Sequence, residues 1–342
     1  MPRVADSGKR ASGVAGPACA FFSPVAFRGK SLTSHDDSQT ASPYRSGFVT
    51  IIGRPNVGKS TLLNGLVGER VAIVTPKPQT TRHRLLGVRH FAGGQIVFLD
   101  TPGVHKARGG LNEYMLDTAM AAIADADLVY LMVEVGPGFM NKDVPGDSNR
   151  RILEAIAAAG KPAFLLINKI DLVDKRELLP FIERWRAVHS FDEVFPVSAE
   201  SRDGLETLVA ATVARLPQGP SFYDGETITD RTMRFLAAEI VREKTMLLFR
   251  DEVPYSIAVV IDEFRELDSG ERFHIAATVI VERESQKPIV VGKGGQTIKK
   301  LGEQARKDME VFFERPVGLK LFVKVKKDWT NDPRALAELG YK

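Results

Sequence analysis

Residues 53 to 60 read Gly-Arg-Pro-Asn-Val-Gly-Lys-Ser, and this stretch decides the fold of the first half of the chain. It matches Gly-x-x-x-x-Gly-Lys-Ser/Thr, the pattern of a phosphate-binding loop. Gly53 and Gly58 let the backbone curl so that successive N–H groups point at phosphate oxygens. Lys59 is then expected to reach the β- and γ-phosphates, and the Ser60 hydroxyl to bind Mg²⁺. The loop also contributes the predicted nucleotide contacts Arg54, Pro55, Asn56 and Val57.

The flanking residues predict a strand before the loop and a helix after it. Residues 48 to 52 are Phe-Val-Thr-Ile-Ile, a run rich in β-branched residues, whereas residues 60 to 67 place their apolar side chains at helical spacing. A phosphate group held there would meet the N-terminus of a helix, which favours negative charge. This context distinguishes a nucleotide site from an ordinary glycine-rich turn between a strand and a helix.

A second motif, Asp100-Thr101-Pro102-Gly103, follows the apolar strand predicted at 95–99. Asp100 is predicted to hold Mg²⁺ through water, and the Gly103 N–H is predicted to contact the γ-phosphate. The same four residues also form ordinary turns. They indicate a nucleotide site here because they lie roughly forty residues after the phosphate-binding loop. The predicted nucleotide contacts of this region also include Thr101, Pro102 and Val104.

The polar segment between the two motifs, residues 79 to 83, can supply a threonine hydroxyl to the metal ion. Of its two threonines, Thr81 is favoured over Thr80, and the alternative is a solvated loop without a metal ligand. The predicted metal ligands are Ser60, Thr81 and Asp100. The predicted catalytic residues are Lys59, Thr81 and Gly103, with no general base assigned.

A third motif, Asn168-Lys169-Ile170-Asp171, is expected to select the base. Asp171 presents two acceptor oxygens, which match the N1–H and the exocyclic amino group of guanine. Adenine has an acceptor at N1 and lacks this amino group, and a site built on such hydrogen bonds rejects the wrong base by about 10⁴-fold. Asn168 is expected to tie the motif to the phosphate-binding loop, and the Lys169 stem to cover the base.

Ser198 and Ala199 come after the short strand that ends at Pro196. A Ser-Ala pair is uninformative alone, but here it follows the Asn-Lys-x-Asp motif in the order of a guanine site. Both residues are predicted nucleotide contacts, with the Ala199 N–H donating to guanine O6.

Length and composition limit the classes of protein that fit. The chain has 342 residues, enough for about two domains that each bury a core. No apolar run reaches 18 residues, so the sequence predicts no membrane-spanning helix. The single cysteine, Cys19, excludes an internal disulfide framework and fits a reducing compartment. The net charge of +4 is too small to indicate a nucleic-acid-binding protein by itself.

Strand and helix patterns divide the chain into five parts. Residues 1–46, rich in Ser, Ala, Gly and Arg, predict a disordered extension, a start codon assigned too early, or an organellar transit peptide. Residues 47–216 alternate strands and helices, which predicts an α/β domain with a mostly parallel sheet and helices on both faces. Residues 217–229 form a breaker-rich linker, 230–330 a second domain, and 331–342 a C-terminal tail.

The second domain is predicted to be a small α+β domain of order α-β-β-α-β, with Asp230 capping its first helix. A Gly-Lys-Gly-Gly loop at 292–295 precedes its second predicted helix. Such a loop is a weak signal alone, but residues 283–327 contain twelve Lys or Arg against five Asp or Glu. These features are typical of a K-homology (KH) domain, which holds single-stranded nucleic acid at this loop and in an adjacent apolar groove. The alternative is a tight turn beside a solvated basic face. The predicted RNA contacts are Gly292, Lys293, Gly294, Gly295, Lys299 and Arg306.

Together these motifs, and shorter phrases such as Ile228-Thr229-Asp230-Arg231, resemble the Era GTPases, in which a guanine-nucleotide domain precedes a type II KH domain. The resemblance covers about residues 47 to 342. It implies GTP or GDP and Mg²⁺ as ligands, and GTP hydrolysis coupled to maturation of the 30S ribosomal subunit. It also implies that the KH domain binds 16S ribosomal RNA near its 3′ end. The resemblance further implies that the protein is a cytoplasmic monomer. It also implies that the protein associates in part with the inner face of the cytoplasmic membrane.

One position qualifies the expected mechanism. Ras-like enzymes orient the attacking water with a glutamine after Asp-x-x-Gly, whereas Val104 and then His105 follow here. Val104 is apolar and cannot take this role, and His105 is expected to lie at the surface. Similarity to related GTPases makes Asn56 a candidate ligand for K⁺, which would place positive charge where an arginine finger otherwise lies. The alternative for Asn56 is a loop-stabilising amide.

Other functions stay open at the level of sequence. One is an RNA-binding assembly factor that uses GTP mainly as a structural ligand, although Ser60 and Asp100 favour metal-dependent hydrolysis. Another is a tRNA-modification GTPase, which is disfavoured because no cysteine lies near the C-terminus and the basic loop is present. A tandem GTPase is disfavoured because the sequence contains only one set of nucleotide-binding motifs.

Overall fold

The computed structural model describes residues 44–105, 109–136, 144–267 and 270–341. Most of the N-terminal extension expected from the sequence, with Cys19, therefore lies outside the described residues. The first strand begins at Arg45, inside the stretch assigned to that extension.

The first domain is a six-stranded sheet between two layers of helices. Its strands are β1 (Arg45–Gly53), β2 (Leu85–Phe91), β3 (Gly94–Asp100), β4 (Leu128–Glu134), β5 (Ala163–Asn168) and β6 (Glu193–Pro196). Its helices are α1 (Lys59–Val67), α2 (Gly110–Asp125), α3 (Gly146–Ala159), α4 (Lys175–Val188) and α5 (Leu205–Arg215). The strand order is β2-β3-β1-β4-β5-β6, and neighbouring strands are parallel except β2 and β3. This topology confirms the predicted α/β fold with a mostly parallel sheet.

Burial on both faces of the central strands explains why helices cover the sheet twice. In β1, Val49 and Ile51 pack with α1 and α5, whereas Ile52 packs with α2, α3 and α4. Successive side chains of a strand point to opposite faces, so a strand buried on both sides is apolar throughout. Each fully buried side chain of this kind contributes about 1.5–3 kcal/mol. The hydrophobic cores on the two faces of the sheet hold the carboxyl ends of the parallel strands at one edge. The sequence motifs lie at this edge.

The linker packs along the outer edge of this sheet. The Val88 N–H of β2 donates to Ile228 O at 2.8 Å. The Thr229 hydroxyl donates to Leu86 O at 2.7 Å. The breaker-rich segment is thus attached to the first domain, which restricts where the second domain can lie.

The second domain is a three-stranded sheet packed on helices. Its strands are β7 (Ala258–Leu267), β8 (Arg272–Val281) and β9 (Val317–Val325). Its helices are α6 (Met233–Leu248), α7 (Lys287–Val291), α8 (Gln296–Phe313) and α9 (Pro333–Glu338). Strand β8 is antiparallel to β7 and parallel to β9. The predicted small α+β domain is confirmed. No helix in the described parts of the chain is both long and apolar enough to cross a membrane.

Three local features of the second domain differ from the sequence expectation. Thr232, and not Asp230, caps α6, because its hydroxyl accepts the Phe235 N–H at 3.2 Å, whereas the Asp230 carboxylate pairs with the next residue. Helix α7 has five residues, too few for apolar spacing to predict it. The predicted tail contains α9, whose cap Asp332 accepts the Arg334 N–H at 2.9 Å.

Candidate nucleotide site and nucleic-acid interface

The phosphate-binding loop joins the end of β1 to the start of α1 and requires glycine at two positions. At Gly53, an added Cβ atom would meet Met132 O at 2.3 Å, so close packing against β4 requires glycine here. Gly58 has φ +102°, a left-handed conformation, and a Cβ atom there would meet Asn168 Nδ2 at 2.3 Å. Helix α1 begins directly afterwards at Lys59, so the loop presents a helix N-terminus to a phosphate group.

The Lys59 side chain is buried in this loop. Its ammonium group donates to Arg54 O at 3.0 Å and to Gly53 O at 3.3 Å. Burial lowers the pKa of Lys59 to about 8, although Asp100 and Glu134 act against this shift. A phosphate group would supply opposite charge beside the ammonium group, which favours its protonated form.

Three oxygen-bearing side chains converge beside Lys59. Ser60 Oγ lies 2.7 Å from Thr81 Oγ1 and donates to Asp100 Oδ2 at 2.6 Å. The second carboxylate oxygen, Asp100 Oδ1, is buried without a hydrogen-bond partner. Burial raises the pKa of Asp100, while nearby Lys59 acts to lower it. Hydroxyl and carboxylate oxygens are the ligands that Mg²⁺ prefers, so these residues fit a magnesium ion.

The two threonines of the polar segment have different surroundings. Thr80 Oγ1 donates to Lys77 O at 2.7 Å and lies 2.6 Å from Thr75 Oγ1, so it is engaged within its own loop. The Thr81 hydroxyl instead donates to Asp100 Oδ2 at 3.4 Å. The geometry therefore favours Thr81 as the metal ligand.

Contacts around Gly103 hold the second motif against the phosphate-binding loop and β1. A Cβ atom at Gly103 would meet Pro55 Cα at 2.7 Å, so this backbone approaches the phosphate-binding loop closely. Thr101 Oγ1 donates to Ile51 O at 2.8 Å, and the Val104 N–H donates to Gly53 O at 3.0 Å. The side chains of Thr101, Pro102 and Val104 are buried, so contacts of these residues with a nucleotide would come from their backbone.

The base-reading motif follows β5. The Asn168 side chain donates to Val57 O at 2.7 Å, which ties the motif to the phosphate-binding loop. Asp171 is exposed on a short 3₁₀ turn, Ile170–Leu172, where its carboxylate is accessible to a base. Ser198 is buried in the neighbouring loop, and its hydroxyl accepts a backbone N–H of that loop at 3.2 Å.

Two other predicted base contacts use their polar groups within the protein. The Lys169 ammonium group donates to Asn56 O at 2.9 Å and pairs with Glu134, so its stem lies along the phosphate-binding loop. The Ala199 N–H donates to Asn168 Oδ1 at 2.9 Å. This hydrogen bond helps to orient the buried Asn168 amide, and donation from the Ala199 N–H to guanine O6 stays a prediction.

These motifs surround one cavity of about 360 Å³. The phosphate-binding loop, residues 73–76 and 79–81, Gly103 and Lys169 line it. Segments far apart in the sequence therefore meet at the carboxyl edge of the sheet. The cavity can hold phosphate groups beside a metal ion, whereas the predicted base contacts Asp171, Ser198 and Ala199 are not among its lining residues.

Asn56 and His105 also have specific partners. Asn56 has φ +62°, and its side chain donates to Pro76 O at 2.9 Å. His105 is half-buried: its Nδ1 lies 3.0 Å from Gly103 O, and its Nε2 lies 3.2 Å from Gln79 Nε2. His105 is therefore partly exposed, as expected for a residue near the surface, but both of its ring nitrogens contact neighbouring polar groups.

The residues from Val74 to His83, called the switch segment from here on, pack against the second domain. Arg82 makes the deepest contact and is fully buried. Its guanidinium group donates to three carbonyl oxygens of one turn of the second domain, at 2.7, 2.8 and 3.2 Å. These acceptors belong to Ile257, Tyr255 and Pro254.

Contacts from the second domain also bind the residues on either side of this arginine. The Arg242 guanidinium donates to Thr80 O and is held in place by Glu239, which accepts from Arg242 Nε at 2.7 Å. The His83 ring stacks on Tyr341, with ring centroids 4.6 Å apart and planes 7° apart. Both chain neighbours of Thr81 are therefore held by the second domain.

Sequence reasoning does not find this interface. Arg82 lies in a polar segment that reads as solvent-exposed, and Tyr341 lies in a stretch that reads as a tail. The available signals are weak: an arginine directly after the favoured metal ligand, and aromatic residues in an otherwise polar C-terminus.

The basic loop of the second domain precedes α8. Its three glycines, Gly292, Gly294 and Gly295, have φ values of +76°, +59° and +80°, which other residues rarely adopt. A Cβ atom at Gly292 would also meet Thr297 Oγ1 at 2.1 Å. Lys293 is exposed at the tip of the loop. The loop can therefore approach a phosphate backbone closely while presenting a positive charge.

A groove of about 340 Å³ lies beside this loop, between α8 and β9. Its apolar lining comes from Ile298, Leu319 and Leu321, and the exposed Lys299 lies at the same groove. Arg306 also lines it, but its guanidinium donates to both oxygens of Glu310, at 2.6 and 2.7 Å. A contact between Arg306 and RNA would thus replace or extend an existing ion pair.

Comparison with known proteins identifies both domains. Residues 48–169 match the family of 50S ribosome-binding GTPases, and residues 252–330 match the KH domain family. The GTPase Era of Syntrophus aciditrophicus (strain SB) is 48% identical over 298 residues, which cover 87% of this chain and 95% of that protein.

Two solved structures are similar across both domains, each with a TM-score of 0.82, 39% identity, and coverage of 87% of this chain and 99% of the other. One is an Aquifex aeolicus Era variant bound to GDP·AlF₄⁻. The other is Era in complex with MgGDPNP and nucleotides 1506–1542 of 16S ribosomal RNA. Sequence similarity of this extent agrees with the nucleotide-site geometry and with the fold of both domains. The chain belongs to the Era family of GTPases, whose reaction is the hydrolysis of GTP to GDP and phosphate.

Proposed function

We propose that this protein is a GTP-driven switch that binds 16S ribosomal RNA near its 3′ end and acts in maturation of the 30S subunit. One observation carries the proposal: the switch segment, which contains a candidate Mg²⁺ ligand, is bound directly to the KH domain. The Era complex with 16S nucleotides 1506–1542 supports the choice of RNA, because the similarity extends over both domains. The family named for the 50S subunit matches only residues 48–169 and leaves out the KH domain.

The nucleotide cavity fits GTP or GDP with Mg²⁺. When bound, Mg²⁺ neutralises charge that develops on the β- and γ-phosphates during phosphoryl transfer. Ser60, Thr81 and Asp100 would hold the ion, Lys59 would contact the phosphates, and Asp171 would select guanine. Of these groups, Thr81 would depend most on the γ-phosphate, because GTPase switch segments generally gain contacts to the γ-phosphate and Mg²⁺ that hydrolysis removes.

The contacts on either side of Thr81 supply a route from nucleotide to RNA. Thr80 O accepts from Arg242, and Arg82 donates into the turn at 254–257. Leaving a buried donor or acceptor unpaired costs about 1–3 kcal/mol. We therefore expect the KH domain to follow the switch segment when the γ-phosphate is lost. A change of 1.4 kcal/mol in coupling energy alters RNA affinity about tenfold.

The RNA would lie along α8 of the KH domain. Lys293 and the loop amides would contact phosphates, and unpaired bases would occupy the groove lined by Ile298, Leu319 and Leu321. Stacking and apolar contacts of this kind need single-stranded RNA, because bases in a duplex are not available to the groove.

Potassium dependence is the first testable consequence. Asn56 borders the nucleotide cavity and joins the phosphate-binding loop to the switch segment. A K⁺ ion beside Asn56 would add positive charge to the transition state. We expect GTP turnover to be several-fold faster in KCl than in NaCl of equal ionic strength, and Asn56→Ala to remove the difference. Equal wild-type rates in the two salts would exclude the K⁺ site.

Peripheral association with the inner face of the cytoplasmic membrane and a monomeric state are further parts of the proposal, supported by family resemblance alone. Co-sedimentation with anionic lipid vesicles tests the first, and sedimentation equilibrium tests the second.

Crosslinking to total cellular RNA tests the proposed ribosomal role. With GDPNP bound, crosslinks should concentrate in the 3′-terminal region that corresponds to nucleotides 1506–1542. Lys293→Glu should deplete them, whereas Lys175→Glu, an exposed lysine of α4, should not. Crosslinks scattered over many RNAs without enrichment at this region would contradict the ribosomal assignment. An assembly factor that holds GTP only as a structural ligand would keep the crosslinks but show no GTP turnover.

A further inference from the structure

GTP hydrolysis needs a polar group that orients the attacking water, and the usual position does not supply one. Val104 follows Gly103 in the second motif, its side chain is 1% exposed, and its N–H donates to Gly53 O at 3.0 Å. The residue is therefore part of the protein core. A water-orienting group must come from another element that borders the nucleotide cavity.

The side chain of Gln79, in the switch segment, can supply such a polar group. Gln79 lines the nucleotide cavity together with Lys59, Thr81 and Gly103. Its backbone has φ +60°, a conformation that residues other than glycine rarely adopt and that is often retained at functional positions. Gln79 also precedes the favoured metal ligand by two residues, so the two side chains belong to one loop that the γ-phosphate would order.

The amide group of Gln79 is fixed by neighbours from the second motif and from α2. Its Nε2 lies 3.2 Å from His105 Nε2 and donates to Asn112 Oδ1 at 3.1 Å. His105 Nδ1 lies 3.0 Å from Gly103 O. A carbonyl oxygen can only accept, so Nδ1 carries the proton and His105 Nε2 accepts from Gln79.

These contacts determine which atom of the Gln79 side chain can bind a ligand or water. Both of its N–H bonds are used, one towards His105 and one towards Asn112, so Oε1 is the group left to accept a hydrogen bond from a ligand or water. His105 itself is an unsuitable base, because Nδ1 donates to Gly103 O and the lone pair of Nε2 faces Gln79. The neutral amide can orient water without taking up its proton.

We propose that Gln79 orients the attacking water for GTP hydrolysis, and that His105 and Asn112 are positioning residues that fix the Gln79 amide. This inference rests on the proposed Mg²⁺-dependent switch mechanism. The water oxygen forms a bond to the γ-phosphorus while the bond from that phosphorus to the β–γ bridging oxygen breaks. The electron pair stays on GDP, and the water proton passes to the released phosphate, so Gln79 is unchanged.

Single-turnover GTP hydrolysis and nucleotide affinity together test this role. We expect Gln79→Ala to lower the hydrolysis rate by about ten- to a hundredfold, as for loss of other water-positioning groups. Its affinity for GDPNP should stay within about threefold of wild type. Gln218→Ala, an exposed glutamine of the linker, is the matched control and should hydrolyse GTP at the wild-type rate.

Variants of Asn112 separate positioning from general damage to the loop. Asn112→Asp keeps an acceptor oxygen for the Gln79 amide, whereas Asn112→Leu removes it. We expect hydrolysis by Asn112→Asp to be at least about fivefold faster than by Asn112→Leu, with similar GDPNP affinity.

The complex with GDP and aluminium fluoride supplies a readout that does not depend on turnover. We expect Gln79→Ala to form it at least about tenfold more weakly than wild type, with unchanged GDP affinity. A wild-type hydrolysis rate in Gln79→Ala, or equal losses in rate and in GDPNP affinity, would overturn the role of Gln79 while leaving the switch proposal standing. Absence of Mg²⁺-dependent turnover in the wild-type protein would overturn both.

Discussion

At the scale of single residues, Asp171 is the group on which nucleotide choice depends. We expect Asp171→Asn to lower GTP affinity by at least a hundredfold, because the variant amide offers a donor where guanine also has one. Xanthosine triphosphate, which has a carbonyl in place of the amino group, should bind better to the variant than to wild type. Calorimetric titration measures both affinities.

Asp174→Asn is the matched control for this change. Asp174 caps α4 by accepting the Arg176 N–H at 2.9 Å, and asparagine caps helices equally well. The control should therefore keep wild-type GTP affinity. Retention of GTP affinity in Asp171→Asn would remove Asp171 from the base site.

His83 gives the domain interface a pH dependence. Burial lowers the pKa of His83 from 6.5 to about 4, with Glu239 opposing the shift and nearby arginines adding to it. The unfolded chain therefore takes up this proton near pH 6.5, and the folded protein only near pH 4. The contribution of neutral His83 to stability is complete above about pH 6.5 and decreases as the pH falls towards 4, by up to about 3 kcal/mol.

Thermal unfolding between pH 7.5 and pH 5 measures this effect. His83→Phe keeps an aromatic ring against Tyr341 and removes the titrating group. The melting temperature of the wild-type protein should fall more steeply towards acid pH than that of His83→Phe. Parallel profiles for the two proteins would show that His83 does not titrate at the interface.

Individual residues differ in how much the sequence revealed about them. Lys59, Ser60 and Asp100 could be assigned because their chemistry fixes their spacing and order. The hydrogen bond from the Ala199 N–H to the Asn168 amide was not predictable, because it depends on how two separate loops pack. The contact between His105 and Gln79 was not predictable, because a histidine after a glycine turn carries no pattern that indicates a partner.

At the scale of elements, the switch segment joins the two domains through Arg82. We expect GDPNP, compared with GDP, to change hydrogen exchange in α6 and in the turn at 254–257 of the wild-type protein. Arg82→Met should abolish this difference, because methionine fills space but makes none of the three hydrogen bonds to carbonyl oxygens. The exchange rates of these amides are measured by mass spectrometry.

Arg84→Met is the control from the same stretch of chain. The Arg84 side chain is exposed and pairs with Asp125 within the first domain, at 2.6 Å. This variant should keep the nucleotide-dependent difference in exchange. A difference that persists unchanged in Arg82→Met would show that coupling passes through other contacts.

Element prediction succeeded where periodicity was long and failed where it was short. Strands β1, β4 and β5 are apolar runs between breakers, and α8 has regular helical spacing, so each was predictable. Helices α7 and α9 have five and six residues, less than two turns, and give almost no periodic signal. For α9, the Asp332-Pro333 pair was a usable sign, since Asp favours the cap position and Pro the first helical position.

At the scale of the whole molecule, the sequence predicts two domains but not how they meet. Domain folds follow from local patterns of apolar residues. The interface depends on Arg82, which comes from a segment that reads as a polar loop, and on Tyr341, from one that reads as a tail. Trp329, at the end of the predicted second domain, also belongs to it. Trp329 is fully buried and its ring N–H donates to Ser256 O at 2.9 Å, so the C-terminal segment is part of the KH domain core and of its contact with α2.

The proposed switch requires that the nucleotide in the first domain sets the RNA affinity of the second. Fluorescence titration of a labelled single-stranded RNA with the sequence of the 16S 3′ end tests it most directly, with the full chain saturated by MgGDPNP or by MgGDP. We predict that the GDPNP form binds this RNA at least about tenfold more tightly, which corresponds to about 1.4 kcal/mol of coupling. Equal affinities of the two forms, with nucleotide occupancy confirmed in each, would contradict the account.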